Sequence, residues 1–350
     1  MGASADSSWD TTWIDNEHPA LRRCWHPVAR SADIADDRPV AVDLLGERWC
    51  LVRLGDELAA LRDPCPHRYS PLSAGTIVGD TLRCAYHGLR FAADGTCVEI
   101  PAVDPSLPIP ARACATAAAG VSESLDLVWL APEDPIAPLP EVPEHHDPSF
   151  VTCPLPPSDW NAGAAQMADN FLDLGHLPFV HLGTFGDPDD KLVRDYKMER
   201  DGWRFTAHHR HFTKALDDSM GADGEYKVVE RELLFVFTAP HHVYLRIGYP
   251  EEGMVLTISF CHQPVDAATT RLYCTDYRND IPDEPGAIAD TVAFQQAVAA
   301  EDSALLQRIG TKAVPLVPAL EYHSKADRIT LEMRRMLADL VAEAGAEVSG

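Results

Sequence analysis

The chain has 350 residues, 46% of them hydrophobic and 24% charged, with 29 basic side chains against 54 acidic ones and a net charge of −25. That length and apolar content suit two folded domains and exclude disorder as the main state. So acidic a chain lacks the clustered Lys and Arg that phosphate contacts need, which argues against nucleic acid and against an anionic membrane surface as partners. No apolar run approaches the roughly 18 residues of a transmembrane helix. The first residues show no basic stretch followed by an apolar one, and the nine Cys have no framework spacing. A reduced, cytoplasmic protein is therefore expected.

Residues 39–62 read as three short strands, Pro39 to Leu45, Arg48 to Leu54 and Glu57 to Leu61, with turns at Gly46-Glu47 and Gly55-Asp56. Strand-like texture continues to about residue 130. Residues 131–157 then hold nine of the 28 prolines, which marks a linker or wrapping segment and a domain boundary near its start. A helical patch follows at about 161–182. Five β-rich runs come next: Trp203–Phe212, Tyr226–Phe237, His242–Gly248, Met254–His262 and Thr270–Tyr277. No helix separates them, so their sheet is expected to be antiparallel. Two helices close the chain, one at about 288–309 and one whose Ile329, Met333, Met336, Leu337 and Leu340 share a stripe.

Two constellations carry chemistry. In the first, Cys65-Pro-His67 and Cys84-Ala-Tyr-His87 are separated by sixteen residues, each in a Pro- or Gly-bearing loop. Two loops that each offer a thiolate and an imidazole make a four-ligand site. A zinc ribbon is one reading, but zinc knuckles favour paired Cys within a loop. The mixture within each loop suits a 2Fe–2S cluster with both Cys on one iron and both His on the other.

The second constellation is Asp169 to His181, which contains Asn170, Asp173, His176 and His181. Two imidazoles five residues apart could belong to a second metal site, and two His with one carboxylate are a common set for non-haem iron. His176 and His181 would stand about 140° apart on a regular helix, but Pro178 between them loosens it. For the carboxylate, helical phase singles out Asp302, which falls among Val298, Leu305, Leu306, Ile309 and Ile288 on the apolar face of the 288–309 helix. A carboxylate there needs a metal, a cation or a hydrogen bond from a helix Ser or Gln. Glu301 lies about 100° away, at the edge of that face. Asp173, three residues before His176, is placed to orient its ring.

The segments Cys24-Trp25-His26-Pro27, Cys65-Pro-His67-Arg68 with Pro71-Leu72, Cys84-x-Tyr86-His87-Gly88 and Asp94-Gly95-Thr96 together resemble the Rieske domain of Rieske non-haem iron oxygenases. Leu89 departs from the Trp that often follows His-Gly there. Asn170, Asp173, His176 and His181 match the family's N-x-x-D-x-x-H-x-x-x-x-H pattern, and Glu301-Asp302 resembles its late Glu-Asp pair. The resemblance implies an α+β chain: a Rieske-type antiparallel β domain and a helix-grip (START-like) catalytic domain with a sheet around a long helix. It implies segments at 1–22 (packing on the catalytic domain), 23–130 (Rieske), 131–158 (linker) and 159–350 (catalytic). It also implies a 2Fe–2S cluster on Cys65, His67, Cys84 and His87, and Fe(II) on His176, His181 and Asp302. Asp173 and Asn170 would serve catalysis, with Asp173 touching His87 of a neighbouring subunit in a homotrimer.

The activity so implied is the terminal oxygenase of a monooxygenase system, hydroxylating or O-demethylating an aromatic or polycyclic molecule with O2. In length and loop spacing the chain is similar to the vanillate and dicamba demethylase type. A cis-dihydroxylating dioxygenase and a natural-product tailoring oxygenase are the enzyme alternatives. A Rieske electron carrier with a hydrophobic-ligand domain is the non-enzyme one. No flavin or nicotinamide motif is present, so electrons are expected from a separate NAD(P)H-dependent reductase or ferredoxin. The remaining Cys read as reduced, mostly buried small hydrophobes, and His209 and His211 alternate to one side of a strand, where they face a pocket or solvent.

Overall fold

In the computed structural model, which describes residues 10–35, 37–214 and 228–348, the alternating run after residue 39 forms a three-stranded antiparallel sheet of Val40–Leu44, Glu47–Leu54 and Glu57–Arg62. Its first turn is Leu45-Gly46 rather than Gly46-Glu47. Both residues have positive φ, 53° and 71°, the twist a two-residue hairpin requires. A second three-stranded sheet joins Gly120–Ser124, Leu127–Ala131 and His26–Arg30. A third, of four short strands, runs Thr76–Val78, Thr81–Arg83, Arg90–Phe91 and Cys97–Glu99. Val52, Leu54, Leu61, Leu72, Leu82 and Phe91 form the core on which the loops at 65 and 84 rest.

These sheets belong to a unit of residues 19–136 together with 263–267; the remaining described residues form a second unit. The five late residues were not expected there. They belong because Leu45 and Gly46 donate backbone hydrogen bonds to Pro264 and Val265, a long-range pairing that no local pattern announces.

The eight strands of the second unit, numbered β1 to β8, are Val151–Pro154, Ser158–Trp160, Lys197–Asp201, Arg204–Lys214, Val228–Thr238, His242–Tyr249, Met254–Pro264 and Thr270–Arg278. They make one antiparallel sheet in the order β1-β8-β7-β6-β5-β4-β3, with β2 also on β8. The run expected from Tyr226 is described only from Val228. Along β5 to β7 every second side chain faces inward: Leu233 and Phe235, Leu245 and Ile247, Leu256 and Ile258.

The proline-rich stretch is no free linker from residue 137 onward. Glu144 is buried and accepts hydrogen bonds from Tyr244 (2.8 Å) and Arg246 (3.1 Å), which ties the stretch to the sheet. At the chain's start, Trp13–Ile14 pairs with Val314–Pro315, also within this unit.

The helical patch expected at 161–182 is two helices, α1 (Ala164–Leu172) and α2 (Leu177–Val180). The break follows from Asp173, which is extended and whose carboxylate accepts from the N–H groups of Gly175 (2.9 Å) and His176 (3.0 Å). A side chain competing this way for backbone donors ends one helix and starts the next. Helix α3 spans Pro285–Leu306, and α4 spans Arg328–Val348 with Ile329, Met333, Met336, Leu337 and Leu340 buried. The buried face of α3 is Thr291, Gln295, Val298, Asp302 and Leu306, while Leu305 and Ile309 are exposed, contrary to the expected stripe. Ile309 lies beyond the helix end, so helical phase does not apply to it.

Candidate metal centres

The two Rieske-type loops share one backbone design. Cys65 N–H donates to Ser70 and Tyr69 N–H donates back to Cys65; Cys84 N–H donates to Leu89 and Gly88 N–H donates back to Cys84. In both, the fifth residue has positive φ: 57° at Tyr69 and 73° at Gly88. A Cβ at Gly88 would lie 3.2 Å from Pro101, so glycine serves both the turn and the packing. The thiols of Cys65 and Cys84 are buried, whereas His67 and His87 are exposed with ring centroids 4.4 Å apart. Burial, with the neighbouring Cys84 thiol, pushes the Cys65 thiol up to about 11. Two adjoining buried sulfurs and two outer imidazoles fit a Rieske 2Fe–2S cluster, which would bind only with loss of the thiol protons. The seven remaining Cys form no disulfide; six are buried and Cys114 is half-buried.

His176 and His181 bracket α2. Their Nε2 atoms lie 3.2 Å from one another and 3.5 and 3.4 Å from Oδ1 of Asp302. Their Nδ1 atoms turn outward, His176 to Asp173 at 3.2 Å and His181 to Glu301 at 3.0 Å. A carboxylate only accepts, so each Nδ1 carries the proton and each Nε2 presents a lone pair. Three acceptors thus face one point, all within 4.8 Å of one another, and Asp302 Oδ1 is buried with no hydrogen-bond partner. Such a set needs a cation at its centre, and two imidazoles with one carboxylate fit Fe(II) with open positions.

Burial pushes the Asp302 carboxyl up, while the nearby Asn170 amide favours its ionised form. The buried Asn170 Nδ2 nonetheless falls short of hydrogen-bonding geometry. Burial also opposes ionisation of Asp173, but His176 and the Gly175 N–H hold its carboxyl below the usual range.

Glu301 has a place that helical phase did not reveal. Besides His181 it accepts from Gly183 N–H (2.9 Å) and the Thr184 hydroxyl (2.7 Å), closing the turn after α2. Against the penalty of desolvation, these bonds hold its carboxyl below the ordinary value. The only available signal was its adjacency to Asp302. His176, His181 and Asp302 line a cavity of about 190 Å³ bounded by β4 to β7, α3 and residues 171–194. Its wall is mainly apolar, with His209, Arg231 and Gln295 among its polar members. The side chain of His211 lies outside the described residues.

A family model for the vanillate O-demethylase oxygenase C-terminal domain matches residues 160–343, and one for the Rieske 2Fe–2S domain matches residues 24–117. The chain belongs to the Rieske non-haem iron oxygenases. It is 28% identical to methylxanthine N1-demethylase NdmA of Pseudomonas putida over 93% of this chain and 91% of that one. Over about half of each chain it is 31% identical to the oxygenase component of dicamba O-demethylase from Stenotrophomonas maltophilia. The solved structure of NdmA with caffeine superposes with a TM-score of 0.79 at 26% identity, covering 96% of this chain and 94% of that one.

The protein is thus an oxidoreductase, the oxygenase component of a Rieske system, with a 2Fe–2S cluster and mononuclear iron as its cofactors. Oxygenase components of this type work with separate reductase or ferredoxin partners. Among the described residues no helix is long and apolar enough to cross a membrane.

Proposed function

We propose that this oxygenase hydroxylates or oxidatively demethylates a small aromatic or heteroaromatic molecule, with Cys65, His67, Cys84 and His87 holding the cluster and His176, His181 and Asp302 holding Fe(II). The carrying observation is the convergence of two lone-pair nitrogens and an unpartnered buried carboxylate oxygen on the mouth of an apolar cavity. When bound, iron here supplies dioxygen activation and the cluster supplies electrons one at a time. The chain's own residues do the rest. Asp173 and Glu301 fix the two ring tautomers, and the Leu, Ile and Phe side chains of β5 to β7 exclude water and pack against a flat ligand. The names of the relatives, which are demethylases of a methylxanthine and of dicamba, favour removal of a methyl group from nitrogen or oxygen.

The assembly proposed is a closed homotrimer in the cytoplasm, served by an NAD(P)H-dependent reductase or ferredoxin. His87 of one subunit would meet Asp173 of the next, since head-to-tail contacts must close or polymerise. The exposed side chains beside each site support it: Tyr69 and Tyr86 by the cluster loops, and Phe179 and Leu182 around α2. Large exposed apolar groups of this kind mark contact surfaces.

Mixing two inactive variants tests both parts. Chains with His87→Ala lack a working cluster, and chains with Asp302→Ala lack the catalytic iron. Co-expressed, they should regain part of the product formation from labelled O2. No recovery would refute transfer between subunits. Absence of labelled product from the unmodified protein, across methoxyaromatic and N-methyl heteroaromatic compounds, would refute the oxygenase chemistry proposed.

A further inference from the structure

Three cations line the cavity, Lys191, Arg194 and Arg231; the first two are exposed, and the setting of the third points to a ligand. Arg231 lies on β5 with Leu233 and Phe235, and all three line the cavity. Its sequence neighbours Glu230 and Glu232 point to the other face of the sheet, where both pair with Arg210. The four cavity carboxylates are engaged elsewhere: Asp173 on His176, Asp302 facing both triad imidazoles, Asp190 with Arg194 at 3.7 Å, and Asp187 accepting from Asp189 N–H. Among the described residues the Arg231 guanidinium meets the ring of Tyr249, 5.6 Å from its centroid, and its buried Nε has no hydrogen-bond partner. A buried donor left this way is costly until something accepts from it.

We infer that Arg231 is the anchor for an oxyanionic substituent of the substrate, so that the substrate class is an aromatic carboxylate or sulfonate. The guanidinium fork matches such a group with two parallel hydrogen bonds, and a water-poor wall strengthens them. On the strands around it, Leu233, Phe235, Leu245, Ile247, Leu256 and Ile258 offer packing and no side-chain hydrogen bonds, which suits one charged substituent on an apolar ring. Position supports the same reading. Phe171, just before the iron-binding segment, stacks on Phe260 at 4.1 Å. Phe260 shares a row of the sheet with Val243 and Phe237, while Arg231 lies six residues further along β5. The anion is therefore held along β5 away from the row that meets Phe171.

Calling this ligand a substrate rests on the oxygenase reading; the site itself does not. Matched probes separate the two: 4-methoxybenzoate against 4-methoxybenzamide, and 6-methoxy-2-naphthoate against its amide. Each is titrated calorimetrically into the oxidised, iron-loaded protein. The better carboxylate should bind at least about tenfold tighter than its amide. Arg231→Gln should lose at least about tenfold for the carboxylate and less than about threefold for the amide. Arg231→Lys should fall between, because it keeps the charge and loses the fork. If the Gln variant loses its cluster spectrum, the Lys variant carries the test through its reduced carboxylate preference. Equal or tighter binding of the amides, equal losses for both members of a pair, or no carboxylate binding at millimolar concentration would each overturn the assignment. An Arg231-dependent preference in a protein that oxygenates none of the four probes would leave the anion site standing and count against the reaction proposed above.

Discussion

The two metal sites proposed for this chain are built on opposite plans. The four residues proposed to hold the cluster fall between positions 65 and 87, in two loops that each close on their own backbone hydrogen bonds. The triad draws on positions 176, 181 and 302, and carboxylates from two separate elements, Asp173 and Glu301, hold its imidazoles. A site of the first kind depends on turn geometry and a small local core. One of the second kind depends on how a helix packs against a distant segment, and so needs an outer layer to keep its ligands aimed.

The hardest test of that contrast removes ligands. His176→Ala, His181→Ala or Asp302→Ala should abolish product formation and mononuclear iron binding, yet leave the cluster's visible and reduced EPR spectra unchanged. Cys84→Ser should do the reverse, losing the cluster spectrum while metal analysis still finds one iron. If either change removed both metals, the sites would not be independent in the way their construction implies.

Next in size is a packing effect. Arg334 of α4 is buried and joins Asp169 of α1 (3.0 Å) and Glu321 (2.9 Å). Burial pushes the Asp169 carboxyl up even with that guanidinium beside it. Arg334→Ala strands the carboxylate and should cost about 3–5 kcal/mol in denaturant unfolding. Asp169 lies next to Asn170, so iron affinity should fall as well, with the cluster spectrum intact. The double variant Arg334→Met with Asp169→Leu should recover most of the stability, since an apolar pair needs no counter-charge.

A third effect accumulates with pH and is small per pH unit. Asp276 of β8 is buried opposite Cys153, with one oxygen lacking a hydrogen-bond partner. Burial pushes its carboxyl up to about 8, although Arg278 pulls the other way. Between about pH 4 and 8 the folded chain then holds a proton that the unfolded chain releases, so stability falls as pH rises, by about 1.4 kcal/mol per pH unit at most. Asp276→Asn should remove this slope. Its unfolding midpoint should match the parent's near pH 4 and exceed it at pH 8.5. A parent slope of the opposite sign would mean the carboxylate has a partner in solution.

The same difference in construction explains what could be read from the sequence. Cys65, His67, Cys84 and His87 stand in short local motifs, and the hairpins around them follow from turn residues. His176 and His181 are equally local. Asp302 was accessible because helical phase is periodic, although the stripe used to find it included Leu305 and Ile309, which are exposed. Glu301 and Arg231 were not accessible. One acts by bonding to a turn more than a hundred positions earlier, and the other by what is missing around it, and neither leaves a periodic trace. The break after Leu172 was half visible: Pro178 signalled loosening, but the capping by Asp173 depends on where its side chain turns.

The finest test sets the two supporting carboxylates against each other. Both oxygens of Asp173 accept from N–H groups, Oδ1 from Gly175 and Oδ2 from His176. Asparagine must therefore set a donor against a donor whichever way it turns. Glu301 differs, because its Oε1 accepts from the exposed Gly183 N–H, while Oε2 serves His181 and Thr184. Glutamine can keep its carbonyl on His181 and leave the Gly183 N–H to water. Loss of a partner behind a metal-binding imidazole typically costs about 10–100-fold in metal affinity or activity. Asp173→Asn should lie near the upper end of that range and Glu301→Gln near the lower, measured as iron dissociation constants by chelator competition. Glu301→Ala, which keeps no acceptor, should approach Asp173→Asn. If instead Glu301→Gln released the iron and Asp302→Asn retained it, the neighbouring glutamate would be the ligand and the roles of the pair would be exchanged.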